Sequence, residues 1–292
     1  MSQPSSRTVP SARPIGIFDS GVGGLTVMKA LIERLPTEDM IYLGDTARVP
    51  YGNRGPETVR RYATNAAALL RSHDIKALVV ACNTASAYAL EALRDGLDIP
   101  VFGVIAPVAR RAAELTETDK IAILGTRGTI QSNSYQRSLL NLRSQIDVYP
   151  VACPLLVPLA EEGWTTGSVT EQVIEHYLSP LSGTGVDTMI LGCTHYPLMQ
   201  QTIAEVVERL PFEVVTLVDS ARTTSQAVEE ALREKSLLSD ENAAGVHRFL
   251  LTDLPQGFIE TAERFFGRSL DGACEHVDIT DSTFSLVVPP TG

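Results

Sequence analysis

Two cysteines of this chain stand where a thiol could act as an acid or a base. Cys82 ends the apolar segment ALVVAC and is followed by Asn83-Thr84, while Cys193 ends MILGC and is followed by Thr194-His195. These polar neighbours can donate hydrogen bonds to a carboxylate, although capping of the next helix alone would also explain the two threonines. The recurrence of a thiol followed by hydroxyl or amide groups marks both positions as candidates for chemistry.

Two thiols that face each other across a cleft suit one class of reaction especially well. A thiolate removes a proton from one face of a carbon atom while a thiol delivers a proton to the opposite face, and the roles are exchanged in the reverse direction. The pair therefore predicts racemisation that needs no cofactor. The alternative from a different class is a non-catalytic protein that binds a small anion between two lobes.

The other two cysteines carry no such pattern. A lone cysteine in an apolar segment is usually an inert buried residue, and we interpret Cys153 and Cys274 in this way. The chain has no CxxC pair and no spacing of paired zinc ligands, so we expect no metal site. Four cysteines so far apart are too few for a disulfide scaffold and predict reduced thiols in a cytoplasmic protein.

A glycine-rich turn, Asp19-Ser20-Gly21-Val22-Gly23-Gly24, lies between a predicted strand and a predicted helix. A dinucleotide-binding loop would have a third glycine where Thr26 stands, and Asp19 would place an anionic side chain where the pyrophosphate approaches. Asp45 has the spacing of a ribose-binding acid, but the rest of the pattern does not support a nucleotide. A plain turn without a ligand and a site whose backbone N–H groups bind a small anion remain open.

Short segments rich in Val, Ile and Leu alternate with segments of helical period along most of the chain. This alternation predicts parallel strands covered by helices. The expected strands are 15–20, 40–45, 77–82, 101–105, 121–126, 189–193 and 214–219. The expected helices are 25–35, 57–72, 84–95, 107–117, 132–143, 168–181, 197–210 and 220–236.

A weak internal repeat predicts an α/β fold of two similar doubly wound, mostly parallel-sheet domains that face each other across a cleft. Ligands bind at the carboxyl ends of such strands, so we expect Asp19, Cys82, Thr126 and Cys193 to point toward one cleft. The expected division is a disordered tail at 1–14, a first α/β domain at 15–106 plus 216–292, and a second α/β domain at 107–215.

The composition excludes several classes of partner. With 24 Lys and Arg against 35 Asp and Glu, the formal net charge is −11, and no basic cluster is present. Phosphate binding depends on fields of positive charge, so we expect no nucleic-acid partner. No apolar segment is long enough to span a membrane, and the first fourteen residues have no hydrophobic core of a secretory signal.

Taken together, these motifs resemble the glutamate racemases of the bacterial cell-wall pathway, within the aspartate/glutamate racemase superfamily. The matching segments run in order from Ile15 to about Ser220: IGIFDSGVGGLTV, YLGDTARVPYG, ACNTAS, GTRGT, CPLLVPLAEEG, LGCTHYP and VDSA. Gly55, where the family would be expected to place a small hydroxyl residue, and Met199, which replaces the usual Leu, depart from the pattern without touching the two thiols.

The resemblance implies a role for each matching residue. Cys82 would be the base for the D-enantiomer and Cys193 the base for the L-enantiomer, with Asp19 assisting the first thiol and His195 and Glu161 the second. It also implies glutamate as the substrate, a supply of D-glutamate for peptidoglycan, no cofactor and a homodimer. The substrate-binding residues would be Asp19, Ser20, Pro50, Tyr51, Gly52, Asn83, Thr84, Thr126, Thr194 and His195.

Plainer interpretations stay open for the assisting residues and for the substrate. Asp19 could cap the following turn, His195 could be a histidine satisfied above a helix start, and Glu161 could be solvated beside Glu162. Aspartate racemase, or a related racemase with two cysteines, is the alternative within the enzyme class, because the two-thiol chemistry is shared and only the length of the pocket differs. No motif is recognised in the tail or between about 255 and 292.

Overall fold

Two parallel sheets form the core of the protein. The computed structural model describes residues 10–240, 243–254, 257–270 and 274–279. Across the first sheet the strands are β10 (Cys274–His276), β9 (His247–Leu251), β2 (Met40–Gly44), β1 (Ile15–Asp19), β3 (Ala77–Val80) and β4 (Val101–Gly103). Across the second they are β6 (Asp147–Ala152), β5 (Lys120–Gly125), β7 (Thr188–Gly192) and β8 (Thr216–Asp219). Every strand pair is parallel, which confirms the predicted α/β class.

The central strands are buried on both faces. Every residue of β1, β2, β3 and β7 is buried, as expected for apolar strands that helices cover on either side. All seven strands predicted from apolar segments are present. The sequence did not indicate β6, β9 and β10; β6 is a partly exposed edge strand that contains Pro150, a residue tolerated where one side of a strand is unpaired.

Helices cover the sheets and place their apolar residues inward. In α1, for example, Leu25, Met28, Leu31 and Ile32 are buried at helical spacing. The helices are α1 (Leu25–Arg34), α2 (Pro56–Ser72), α3 (Asn83–Gly96), α4 (Ile105–Leu115), α5 (Arg127–Gln131), α6 (Ser134–Leu142), α7 (Leu156–Glu161), α8 (Ser168–Leu178), α9 (Gln200–Arg209), α10 (Ser220–Glu234) and α11 (Phe258–Phe266). None of these described helices is both long and apolar enough to cross a membrane.

The chain passes from the first sheet to the second and back again. Strand β8 pairs with β7 in the second sheet, α10 packs against both α1 and α4, and β9 returns to the first sheet beside β2. The division at residues 106 and 216 stays a prediction. Of the expected tail, residues 1–9 lie outside the described part of the chain. Residues Pro10–Ala12 form a helical turn in which the Ser11 carbonyl accepts a hydrogen bond from Lys76 Nζ at 2.6 Å.

Candidate active site

The carboxyl ends of four strands from both sheets meet around one cavity of about 30 Å³. Ser20 follows β1, Cys82 follows β3, Thr126 follows β5 and Cys193 follows β7. Parallel strands end at a common edge, so the topology brings these positions together from distant parts of the sequence. Of the residues singled out from the sequence, those on the cavity wall are Ser20, Pro50, Tyr51, Gly52, Cys82, Asn83, Thr84, Thr126, Glu161, Cys193, Thr194 and His195.

Cys82 sits at the N-cap of α3, with only 6% of its surface exposed. Its Sγ accepts a hydrogen bond from the Ala85 N–H at 3.5 Å and lies 3.4 Å from Ser20 Oγ. Burial, and next the charge of Asp19, raise the pKa of the Cys82 thiol to about 12, although the contacts with Ser20 and Ala85 act in the opposite direction. Cys82 is therefore a protonated thiol at neutral pH.

Cys193 has a different ionisable neighbour. Its Sγ lies 3.8 Å from Nδ1 of His195, and Nε2 of the same ring lies 3.0 Å from Glu161 Oε1. Burial acts to lower the pKa of His195, but the hydrogen bonds with Cys193 and Glu161 outweigh it and raise that pKa to about 10. The imidazole is therefore protonated at neutral pH and places a cation beside Cys193.

The environments of the two thiols differ in charge. A buried carboxyl group, Asp19, acts on Cys82, whereas an imidazolium supported by Glu161 acts on Cys193. The two thiols on the cavity wall therefore have unlike ionisable neighbours.

Asp19 lies behind the cavity wall and not on it. It is fully buried; its Oδ2 accepts the Gly21 N–H at 2.9 Å, and its Oδ1 has no hydrogen-bond partner within the described residues. Burial raises the pKa of Asp19, although the charge of His195 and the N–H groups of the glycine turn act to lower it. From this position Asp19 can act electrostatically on Cys82, but it does not line the cavity where a ligand would bind.

The glycines of the first turn permit close packing across the cleft. A Cβ atom on Gly23 would lie 2.2 Å from Thr194 Oγ1 and 2.5 Å from His195 Nδ1, and one on Gly24 would lie 2.4 Å from the Asp19 Cβ. Thr26 Oγ1 donates to the Thr194 carbonyl at 3.2 Å. The turn therefore abuts the loop that carries Cys193, which explains its glycines without a nucleotide.

Amide and hydroxyl groups line the cavity between the thiols. Asn83 Oδ1 accepts a hydrogen bond from the Tyr135 hydroxyl at 2.7 Å, whereas Asn83 Nδ2 has no partner among the described groups. Thr84 Oγ1 lies 2.9 Å from Thr126 Oγ1 and 3.1 Å from Thr129 Oγ1. An unpaired buried donor is costly, so the Asn83 amide is suited to a ligand that accepts a hydrogen bond.

The turn that contains Pro50, Tyr51 and Gly52 follows β2 of the first sheet and forms one side of the cavity. The Val49–Pro50 peptide bond is cis, and the Tyr51 hydroxyl donates to Asp45, whose Oδ1 also accepts hydrogen bonds from Arg48 Nε at 3.0 Å and Thr252 Oγ1 at 2.8 Å. Asp45 thus supports this turn. A Cβ atom on Gly52 would lie 2.7 Å from the Thr126 Cβ, so the turn packs directly against the second sheet's loop.

Three residues that sequence reasoning missed support the site from outside. Tyr135 orients Asn83, the Phe265 ring meets the His195 ring edge-on with centroids 4.9 Å apart, and Arg264 Nη1 donates to the Glu161 carbonyl at 2.6 Å. Tyr135 lies in a predicted helix, but its apolar spacing gave no sign of a polar role. Arg264 and Phe265 belong to α11, in a segment without a recognised motif.

A two-sheet α/β fold closed over a pair of buried thiols with unlike ionisable partners is suited to proton transfer between two bases. Comparison with known families places the chain more narrowly. It belongs to the Asp/Glu/Hydantoin racemase family, whose model matches residues 15–228.

Individual relatives place it among the glutamate racemases. The chain is 52% identical to the glutamate racemase of Geobacter metallireducens over 258 residues, which are 88% of this chain and 94% of that protein. The crystal structure of the Francisella tularensis glutamate racemase in complex with D-glutamate matches with a TM-score of 0.86 at 35% identity, covering 92% of this chain and 98% of that one. The Thermus thermophilus enzyme in complex with β-chloro-D-alanine matches with a TM-score of 0.82 at 42% identity, with the same coverage.

The fold extends to more distant proteins. The aspartate racemase of Picrophilus torridus matches with a TM-score of 0.52 at 19% identity, covering 77% of this chain and 98% of that one, and shares the fold.

Proposed function

We propose that this protein interconverts L-glutamate and D-glutamate by proton transfer at the α-carbon, with Cys82 and Cys193 as the two bases. The observation that carries the proposal is that both thiols line one cavity, with Asp19 acting on Cys82 and His195 lying 3.8 Å from the Sγ of Cys193. A relative that is 52% identical and bears the name glutamate racemase supports the choice of substrate.

The reaction balances without any further reagent. With L-glutamate bound, the Cys193 thiolate takes the α-proton, so that the C–H bond breaks and an S–H bond forms, and the electron pair stays on the α-carbon. The Cys82 thiol then gives its proton to the opposite face of that carbon and becomes a thiolate. D-glutamate reacts through the same steps in reverse. The assignment of Cys193 to L-glutamate and of Cys82 to D-glutamate rests on the family resemblance.

Each thiol has an ionisable neighbour that acts on it electrostatically during the reaction. His195, held at its far nitrogen by Glu161, stabilises the Cys193 thiolate before proton transfer. Asp19 acts on Cys82 and favours its thiol form, so the first step from L-glutamate begins with an acid already in place. The charge of His195 acts on Asp19 as well, and it opposes the effect of burial on the pKa of that carboxyl group.

Neutral donors hold the substrate, because the described residues of the cavity wall include no arginine. The α-proton is only weakly acidic, so fixed donors must stabilise the charge that develops beside it. Asn83 Nδ2 is available for a carboxylate, and the hydroxyls of Ser20, Thr84 and Thr194 lie on the same wall. Pro50, Tyr51, Gly52 and Thr126 complete the binding site that we propose.

The cleft must open before glutamate can enter. A cavity of about 30 Å³ holds at most a few water molecules, and both the glycine turn and the turn at Gly52 pack against the opposite loop. Closure of such a site around a substrate removes water and strengthens the electrostatic contacts inside it. We therefore propose that the two sheets separate to admit glutamate and close for the reaction.

Polarimetry with purified protein and no added cofactor tests this function. L-glutamate and D-glutamate should each approach the racemic mixture, and in deuterated buffer the product of a single turnover should carry deuterium at the α-carbon. Product that retains only protium would contradict the two-base route. Faster racemisation of L-aspartate than of L-glutamate would favour aspartate racemase, and binding of glutamate without any turnover would favour the non-catalytic alternative.

We also propose that the enzyme supplies D-glutamate for peptidoglycan, acts in the cytoplasm and forms a homodimer. All four cysteines are free thiols, which favours a reducing compartment. The homodimer rests on the family resemblance. Light scattering coupled to gel filtration, with and without glutamate, tests the oligomeric state, and rescue of a D-glutamate-requiring bacterial strain tests the cellular role.

A further inference from the structure

Helix α11 belongs to the part of the chain that returns to the first sheet, yet it reaches the Cys193 side of the cavity. Phe258, Ala262, Phe265 and Phe266 are buried on one face of the helix, and the Phe266 ring meets the ring of Phe249 in β9 edge-on, with centroids 5.3 Å apart. This face anchors the helix to the first sheet. From that anchor, Arg264 and Phe265 extend to residues of the second sheet's loops.

The partner of Arg264 is the carboxyl end of α7, the six-residue helix that ends with Glu161. Beyond it, the Trp164 N–H donates to the Leu159 carbonyl at 2.8 Å and the Gly163 N–H to the Ala160 carbonyl at 3.1 Å. This is the Schellman pattern, with Gly163 in the left-handed region at φ +77°. It leaves the Glu161 carbonyl to an outside donor, and Arg264 Nη1 supplies that donor at 2.6 Å.

A second observation places the guanidinium at this helix end. A Cβ atom on Gly163 would lie 2.8 Å from Arg264 Cζ and 3.1 Å from its Nε, so the glycine leaves the space that the flat guanidinium occupies. A cation near the last carbonyls of a helix also interacts favourably with the helix dipole. Because an isolated helix of six residues is unstable in water, contacts of this kind decide where α7 ends and where Glu161 points.

The next residue of α11 touches the other member of the same ion pair. The Phe265 ring meets the His195 ring edge-on, with an interplanar angle of 73°. Consecutive residues of one helix thus contact both Glu161 and His195, whose side chains lie 3.0 Å apart. No comparable contact from α11 reaches Cys82 among the described residues, so this support acts on one of the two thiols.

We infer that Arg264 and Phe265 are positioning residues for the Cys193 half of the reaction. Arg264 fixes the end of α7 that carries Glu161, Phe265 fixes the plane of the His195 ring, and together they keep the imidazolium oriented toward Cys193. The inference rests on the proposed function for its kinetic consequence, but the contacts also act on the thiol in the absence of substrate.

The kinetic signature is specific. The two enantiomers have equal free energy, so any variant that changes kcat/KM must change it by the same factor in both directions. What a Cys193 defect changes is the step that limits each direction. Loss of the Arg264 contact makes proton transfer involving Cys193 slower, so the primary isotope effect of α-deuterated L-glutamate should rise, whereas that of α-deuterated D-glutamate should not rise.

The test compares Arg264→Gln with Arg264→Lys and with Arg268→Gln as a matched control. Arg268 lies just beyond the same helix, and its guanidinium packs over the Phe266 ring, 4.4 Å from the ring centroid. We expect Arg264→Gln to lower kcat/KM about tenfold, Arg264→Lys to restore part of it because an ammonium can still donate to the Glu161 carbonyl, and Arg268→Gln to leave it unchanged. Thermal unfolding of each variant verifies the fold.

A second measurement does not depend on racemisation. Alkylation by iodoacetamide at pH 7, followed by peptide mass spectrometry, should show slower modification of Cys193 in Arg264→Gln and unchanged modification of Cys82. A wild-type protein without racemase activity would refute the proposed function, while the alkylation rates would still report on positioning. Wild-type isotope effects and alkylation rates in a folded Arg264→Gln protein would overturn the inference, as would equal slowing at both thiols.

Discussion

The carboxylate of Glu161 lies 3.0 Å from Nε2 of His195, on the side of the ring opposite Cys193. The Glu161 side chain is 39% exposed, so solvent reaches it, but one of its oxygens contacts His195 at the cavity wall. It also fixes the orientation of the ring, since the nitrogen that faces the carboxylate cannot face the thiol. Glu161 thus acts on Cys193 indirectly, through the imidazole that lies between them.

Substitution Glu161→Gln should lower the pKa of His195 from its value of about 10, because the substitution removes one of the two hydrogen-bonded partners that raise it. NMR titration of the His195 ring should show the shift, and kcat/KM should fall on the order of a hundredfold, within the range for a general acid or base. Glu162→Gln is the matched control, because Glu162 is the exposed neighbour. An unchanged pKa of His195 in Glu161→Gln would show that the Glu161 carboxylate does not act on the imidazole.

The same ionisation has a consequence for stability. The pKa of His195 is raised above its ordinary value of 6.5, so its contribution to the free energy of unfolding is fully present below pH 6.5 and is lost as the pH rises toward about 10. The difference in stability between wild type and His195→Asn should therefore shrink across that interval. Urea denaturation at pH 6, 8 and 10 measures it, and a difference that grew with pH would contradict the assigned charge.

The two thiols should differ in their reactivity toward alkylating reagents. Burial and Asp19 raise the pKa of Cys82 to about 12, so its alkylation rate should increase about tenfold for each pH unit between 7 and 10 without reaching a plateau. Cys193, beside the His195 imidazolium, should react faster than Cys82 at pH 7. Mass spectrometry of peptides from a short exposure to iodoacetamide resolves the two rates. Faster reaction of Cys82 at neutral pH would reverse the assignment.

Much of this architecture was predictable because it depends on local patterns. Strands such as β1 and β7 are continuous apolar segments buried on both faces, and parallel topology alone brings their carboxyl ends together. For the same reason the thiols and their polar neighbours, which lie at strand ends, were predicted to share a cleft. The edge strand β6 was not predicted, because its residues are partly exposed and lack a continuous apolar pattern.

The support from outside the cavity was not predictable in this way. Arg264 and Glu161 are separated by 103 positions, and their contact depends on how α11 packs on the first sheet. Arginine in an amphipathic helix is ordinarily solvated, so its type and spacing gave no signal. Asp19 illustrates a subtler limit, because its place at the end of β1 was expected, but its complete burial behind the cavity wall depends on tertiary packing.

Substitution Gly23→Ala should damage the enzyme without a change in charge. A Cβ atom there would lie 2.2 Å from Thr194 Oγ1 and 2.5 Å from His195 Nδ1, so the loop after β7 must move or the cleft cannot close. We expect kcat/KM to fall at least about tenfold and the melting temperature to drop by several degrees, since overpacking typically costs about 1–3 kcal/mol. In the control Gly55→Ala, no atom lies within 4 Å of the added methyl group. Equal kcat/KM and equal melting temperatures in the two variants would mean that the close approach at Gly23 matters neither for activity nor for stability.

Removal of each thiol should separate the two proton transfers. In deuterated buffer, Cys82→Ala should still exchange the α-proton of L-glutamate through Cys193 but form no D-glutamate, and Cys193→Ala should exchange the α-proton of D-glutamate alone. NMR of the α-proton together with polarimetry distinguishes exchange from inversion. Cys153→Ala is the control: Cys153 is fully buried, and its Sγ lies 3.6 Å from the Val151 carbonyl. That variant should racemise normally, whereas near-normal racemisation by either of the other two would refute the pairing of Cys82 with Cys193.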